Sequence, residues 1–130
     1  MDNQIILLDT GILIDLFRKK NKQKSVFYEL SKTYSNFAVS TITRFEIFAG
    51  QTDNQKEFWQ NFYKRVKIYD FNDNSAYTAG EIVKQLKRDK KMIEISDILI
   101  ASTAIANDLP IATLNLKHFE RIEKLRIINK

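Results

Sequence analysis

Gln4-Ile5-Ile6-Leu7-Leu8-Asp9-Thr10-Gly11 decides how the chain is read. Residues 4–8 have strand length, and Ile5 to Leu8 are apolar without alternation, as in a strand covered by helices on both faces. Asp9 closes the run. Gly11–Arg18 then has helical spacing, with Ile12, Leu13, Leu16 and Phe17 on one face. A doubly covered strand feeding a helix opens a parallel α/β sheet, and sites in such sheets form outside the carboxyl ends of the strands. Asp9 stands at such an end.

The same alternation continues outward from there. Helices are expected at Ser25–Tyr34, from a Ser40 or Thr41 cap to Ala49 with Gly50 at its C′ position, at Asn54–Arg65, at Asn72–Arg88, and from a Ser96 cap to Asn107. Short strands are expected at Phe37–Val39, Val66–Tyr69 and Ile111–Thr113, a turn of helix at Leu116–Phe119, and an edge strand at Arg126–Ile128. Strands and helices in turn imply an α/β fold, a three-layer α/β/α sandwich with a mostly parallel sheet. At 130 residues, without linker, repeat or low-complexity segment, residues 1–130 are expected to form a single domain.

Two further acids follow the geometry of Asp9. Glu46 comes after the apolar patch Phe37-Ala38-Val39, and its neighbours Phe45, Ile47, Phe48 and Ala49 leave its charge in need of a partner. Asp97 opens the apolar helix Ile98–Ala106, and a polar Asn115 follows the strand Ile111–Thr113. Each acid alone has a plain explanation as a cap, a solvated helix residue or a first-turn anion. Those explanations do not foresee all three beyond strand carboxyl ends. Carboxylates gathered in one place repel unless a cation holds them, so Asp9, Glu46 and Asp97 read as ligands of a divalent metal. Mg²⁺ or Mn²⁺ prefers oxygen donors and would activate water and neutralise charge on a phosphate. Thr10 and Thr113 stand beside the site as supporting hydroxyls.

Other chemistries find little support. No cysteine is present and His118 is the only histidine, which excludes thiolate metal sites, a cysteine nucleophile, His-rich zinc sites and histidine-pair ribonuclease chemistry. Neither a dinucleotide fingerprint nor a phosphate-binding P-loop occurs, and Gly11 stands where an aspartyl-phosphate phosphatase would need a second acid. A net charge of +5 favours polyanionic partners such as RNA, and apolar runs broken by Asp9, Asp15 and Asp97 argue against a membrane span or signal peptide. Absence of cysteine fits a reducing cytoplasm.

Four segments, in order, resemble the motifs of PIN-domain nucleases. They are Leu8-Asp9-Thr10-Gly11-Ile12-Leu13-Ile14-Asp15, Thr41 to Gly50 around Arg44-Phe45-Glu46, Ser96-Asp97-Ile98-Leu99-Ile100-Ala101-Ser102-Thr103-Ala104, and Ala112-Thr113-Leu114-Asn115-Leu116-Lys117-His118-Phe119. The short length and the last motif look most like VapC-type toxins of toxin–antitoxin pairs. The resemblance implies a cytoplasmic Mg²⁺- or Mn²⁺-dependent endoribonuclease with Asp9, Glu46 and Asp97 as its acidic core and Asn115 as a further catalytic residue. It also implies a homodimer and a cognate antitoxin that blocks the groove. Where many PIN domains carry a fourth acid, this chain has Asn115 or His118. Asn115 would then ligate through its carbonyl oxygen or hold a metal-bound water, and Glu94 is the acid placed to compensate. A housekeeping RNA-processing nuclease and a non-catalytic RNA- or protein-binding module are the alternatives.

Lesser signals complete the reading. Asp15 reads as a solvated acid, His118 as structural or substrate-facing, and Phe58, Trp59, Phe62 and Tyr63 as core or dimer interface. Lys84, Lys87, Arg88, Lys90 and Lys91 form one basic cluster and Arg18, Lys19, Lys20, Lys22 and Lys24 another, each suited to phosphate steering or to an acidic antitoxin segment.

Overall fold

The structure is a computed structural model that describes residues 2–129. Its elements in chain order are β1 (Asp2–Leu8), α1 (Thr10–Arg18), α2 (Val26–Ser31), β2 (Tyr34–Ser40), α3 (Thr41–Gly50), α4 (Lys56–Tyr63), β3 (Lys67–Tyr69), α5 (Asp73–Asp89), α6 (Ile95–Ala106), β4 (Ile111–Ala112) and α7 (Leu116–Phe119). The strands form one sheet in the order β3-β2-β1-β4, and every pairing is parallel. From β1 the chain builds outward through β2 and β3, then crosses back to place β4 on the other side of β1. The strand order reverses between β1 and β4, and a crevice opens there at the carboxyl ends.

Alternation along the strands divides the core into two layers. Ile6, Leu8, Phe37, Val39 and Ala112 face α1 to α4, where Leu13, Leu30, Ile47, Trp59 and Phe62 pack. Leu7, Ala38 and Ile111 face the opposite way, onto Ile82 and Leu86 of α5, Ile98, Ala101 and Ala104 of α6, and Phe119. The expected α/β/α sandwich is therefore present. Trp59 and Phe62 belong to its core, and Phe17 stacks on Trp59 at 5.5 Å between ring centres.

Local departures from the sequence reading have identifiable causes. Helix α2 stops at Ser31, and β2 begins already at Tyr34, because Tyr34 and Asn36 pair with Asp2 and Ile5 although that end of the strand is only partly covered. Gly50 is the last residue of α3, not its C′ residue. No glycine takes a positive φ, and Gln51 closes the helix in extended conformation. Ser96 lies inside α6, whose cap is the backbone of Glu94 without a side-chain bond. Residues 126–128 contribute a single parallel bridge, Ile127 to Ile111, in place of a full edge strand. Asp15 is not freely solvated: its side chain is 15% exposed and accepts from Val26 N at 2.9 Å, which ties α1 to the start of α2. Among the described residues no helix is long and apolar enough to cross a membrane.

Candidate active site

Asp9 ends β1 at the crevice and is 5% exposed. It is the N-cap of α1, with Oδ1 accepting from Thr10 N at 2.8 Å, and Oδ2 accepts from Thr113 Oγ1 at 2.7 Å. Thr113 follows β4, so this second bond closes the crevice between the two strands. Burial pushes the Asp9 carboxyl up to about 6, the nearby Asp97 and Glu46 carboxylates push the same way, and the Thr113 and Thr10 bonds oppose them. Asp97 and Glu46 therefore act on Asp9 across space, and the structure does bring the three acids into one electrostatic neighbourhood.

Glu46 is placed by two threonines. Ser40, at the carboxyl end of β2, caps α3 by accepting from Thr43 N at 3.1 Å, so the cap expected there belongs to Ser40. Thr41 Oγ1 accepts instead from Phe71 N. One turn into α3, Glu46 Oε1 accepts from Thr10 Oγ1 at 2.7 Å, and that hydroxyl stands 3.0 Å from Thr43 Oγ1. The partner its charge needs is thus Thr10. Phe45 and Phe48 beside it point outward, 66% and 50% exposed, so the helix is less apolar in its packing than in its sequence.

Asp97 sits in the first turn of α6 with its side chain 14% exposed. Asn115 Nδ2 donates to its Oδ2 at 3.3 Å, so the amide nitrogen of Asn115, and not its carbonyl oxygen, faces the acid. His118 Nδ1 lies 3.3 Å from the same oxygen and 2.9 Å from Asn115 Nδ2. The Asn115 amide bonds the ring when the proton is on Nε2, and a proton on Nδ1 would let the ring donate to Asp97. His118 thus joins the site through Asp97, and its position three residues after Asn115 on α7 is the signal that reaches it. Glu94 is exposed and caps α6 with its backbone. Thr43, fully buried, joins the site without having been expected there; its place three residues before Glu46 on the same helix marks it.

Two clefts carry cations. Arg18 and Glu46 line one cleft of about 220 Å³ together with Ile14, Phe17, Ile47 and Trp59. A basic cleft of about 510 Å³ lies on the α7 side, lined by Lys90, Lys91, Lys117, Glu120 and Arg121. The basic cluster expected over residues 84–91 is split. Lys84 pairs with Glu81 and Arg88 with Glu123, each at 3.5 Å, while Lys90 and Lys91 turn toward α7.

Comparison with known proteins agrees with this architecture. The PIN domain family profile matches residues 6–125. Ribonuclease VapC1 of Methanocaldococcus jannaschii is 32% identical over 128 residues, covering 96% of this chain and 88% of that protein. Ribonuclease VapC of Rickettsia bellii is 32% identical over 127 residues, covering 95% and 94%. The solved structure of DNA-bound VapBC from Salmonella typhimurium superposes with a TM-score of 0.84 at 26% identity, covering 98% of each chain. VapBC2 from Rickettsia felis, bound to a promoter DNA fragment, gives 0.83 at 28% identity, covering 96% of this chain and 98% of that one. The chain belongs to the PIN-domain family and, within it, to the VapC type.

Proposed function

We propose that this chain is a metal-dependent endoribonuclease and the toxin of a toxin–antitoxin pair. The observation that carries this reading is Asp9: a buried carboxyl at the switch point of the sheet, raised to about 6 and facing Asp97 and Glu46. Groups tuned this way at a crevice are functional candidates. The names of the relatives, Ribonuclease VapC, support the activity, and the VapBC complexes among the structural neighbours support an antitoxin partner.

The donor set fits a hard divalent cation. It offers carboxylate oxygens without thiolate, and Asp9 keeps free lone pairs beyond the two bonds it accepts. Among the described residues no three His, Cys, Asp or Glu side chains are placed to share one ion. That does not oppose Mg²⁺, which takes one or two carboxylates and keeps several waters. Asp9 with Asp97 would hold such an ion, and Glu46 would act on its waters. When bound, the ion supplies a Lewis acid that activates water and neutralises phosphate charge.

The chain's own residues do the remaining work. Thr113 and Thr10 fix the Asp9 carboxylate in one orientation, and Thr10 holds Glu46 beside it. Asn115 orients Asp97, and His118 Nδ1 holds the Asn115 amide in place. Lys90, Lys91, Lys117 and Arg121 bind the phosphate backbone of a single strand and bring a scissile bond to the acids. The antitoxin covers the cleft lined by Phe17, Trp59 and Glu46, and the exposed Phe45, Phe48, Tyr77 and Ile95 provide apolar surface for a homodimer acting in the cytoplasm. Expression of wild type and Asp97→Asn in a bacterial host, with growth and total RNA followed together, tests the reading. Arrest with discrete RNA fragments in the wild type alone supports it. Tight RNA binding without cleavage under any metal would favour a non-catalytic module, the reading that Asn115 and His118 in place of a fourth acid would fit.

A further inference from the structure

Asn129 lies sixteen residues beyond Thr113, outside the four motifs, yet its carboxamide grips Thr113 from both sides. Its Oδ1 accepts from Thr113 N at 3.0 Å, and its Nδ2 donates to Thr113 O at 2.6 Å. The arrangement reproduces one ring of a β-ladder with a side chain. It continues the pairing of the C-terminal segment with β4, in which Ile111 N donates to Arg126 O at 2.9 Å and Ile128 N donates to Ile111 O at 3.0 Å. β4 itself ends at Ala112, and Thr113 is fully buried. Among the described residues no other bond satisfies the Thr113 backbone groups. Buried and unpaired, they would carry a desolvation penalty.

Thr113 is also the residue whose hydroxyl meets the site. Its Oγ1 donates to Asp9 Oδ2 at 2.7 Å and accepts from Asn115 N at 2.9 Å. One backbone position therefore aims Asp9 on one side and starts the Asn115 turn on the other. We propose that Asn129 is a positioning residue of the acidic site, holding Thr113 so that its hydroxyl keeps Asp9 in register. Its consequence for catalysis rests on the nuclease reading above. Partners of metal-binding carboxylates commonly matter nearly as much as the ligands.

A double-mutant cycle with a second, activity-free readout tests this. In full-length protein without RNA or metal, Asn129→Ala should speed exchange of the Thr113 amide hydrogen by about tenfold or more, because its acceptor is gone. Asn129→Asp, which keeps that acceptor but sets a carboxylate against Thr113 O, guards against a variant that simply misfolds; it should show less exchange but a similar loss of cleavage. On an RNA substrate Asn129→Ala should lower kcat about tenfold with KM nearly unchanged. Combined with Thr113→Val it should add little to the loss from Thr113→Val alone, since residues acting through one another are not additive. Multiplying losses, wild-type kcat, or an unchanged Thr113 amide would each overturn the proposal. If the wild type leaves RNA intact, the nuclease reading fails. Thr113 exchange and Mn²⁺ affinity, read by water-proton relaxation, then decide the proposal: both change in Asn129→Ala if it holds, and neither does if it is wrong.

Discussion

Thr10 Oγ1 donates to Glu46 Oε1 at 2.7 Å, joining the first residue of α1 to the second turn of α3 through one of the site's own acids. The same residue gives its backbone N–H to Asp9 Oδ1. A single threonine thus bridges two carboxylates, whose remaining repulsion still helps to raise Asp9. Thr10→Val keeps the shape, removes the hydroxyl, and should lower RNA cleavage about tenfold, while Thr10→Ser should retain most of it. Steady-state kinetics on a short RNA check this, with melting curves to confirm the fold. Equal activity in Thr10→Val would show that Glu46 needs no such tether.

Asp9 sets a pH signature on stability. Its folded carboxyl titrates near 6, above the ordinary value of 3.8, so the native state holds the proton more tightly than the unfolded chain. The stabilisation from that proton is complete below about 4 and is lost as pH rises through about 6. Asp9→Asn carries no such charge. It should therefore be more stable than the metal-free wild type at pH 7, by about 1–3 kcal/mol, and the difference should close toward pH 4. Chemical denaturation across that range reads the difference directly. A gap that stays constant would mean that Asp9 is not raised.

The same proton competes with a cation. Mg²⁺ or Mn²⁺ should raise the melting temperature of the wild type at pH 7.5, and the rise should fade as pH falls through about 6. Asp9→Asn should show little of it at any pH. An equal, pH-independent rise in both proteins would place the ion elsewhere.

On the proposed reading phosphate is steered by Lys90, Lys91, Lys117 and Arg121, which share one cleft although they come from two separate stretches of chain. Neutralising all four should weaken RNA binding and flatten the slope of log affinity against log salt by about 0.7 for each phosphate no longer neutralised. Neutralising Lys84 and Arg88, which are engaged in ion pairs with Glu81 and Glu123, should change the slope less. Identical slopes in both variants would remove the cleft from the RNA path.

Much of this architecture is legible in the residues alone. The unbroken run Ile5–Leu8 announces a central strand, and β1 is indeed flanked by β2 and β4 with apolar layers on both faces. Ser40 caps α3 as its position indicates, and Asn72, expected as the first residue of its helix, is instead the cap of α5. The position of Asp9 at the end of a doubly covered strand already points to the crevice. What the residues do not disclose depends on long-range partners. The start of β2 at Tyr34 reflects pairing with β1, not hydrophobicity. Asp15 is occupied by a backbone N–H eleven residues on, Thr43 contributes through Thr10, and Asn129 through Thr113. Local spacing has no access to such bonds. Conversely, Gly50 and Ser96 carry strong local signals that α3 and α6 do not use, because α3 takes in Gly50 as its last residue and α6 begins one residue before Ser96.

The most direct test of the account is cleavage of RNA by the purified protein. Wild type and Asp97→Asn, each freed of metal and then given Mg²⁺ or Mn²⁺, would be incubated with total RNA, and fragment ends mapped. The account predicts discrete internal cuts by the wild type only when a divalent ion is present, and none by Asp97→Asn although it folds. Cleavage by the metal-free wild type, or equal cleavage by Asp97→Asn, would contradict it.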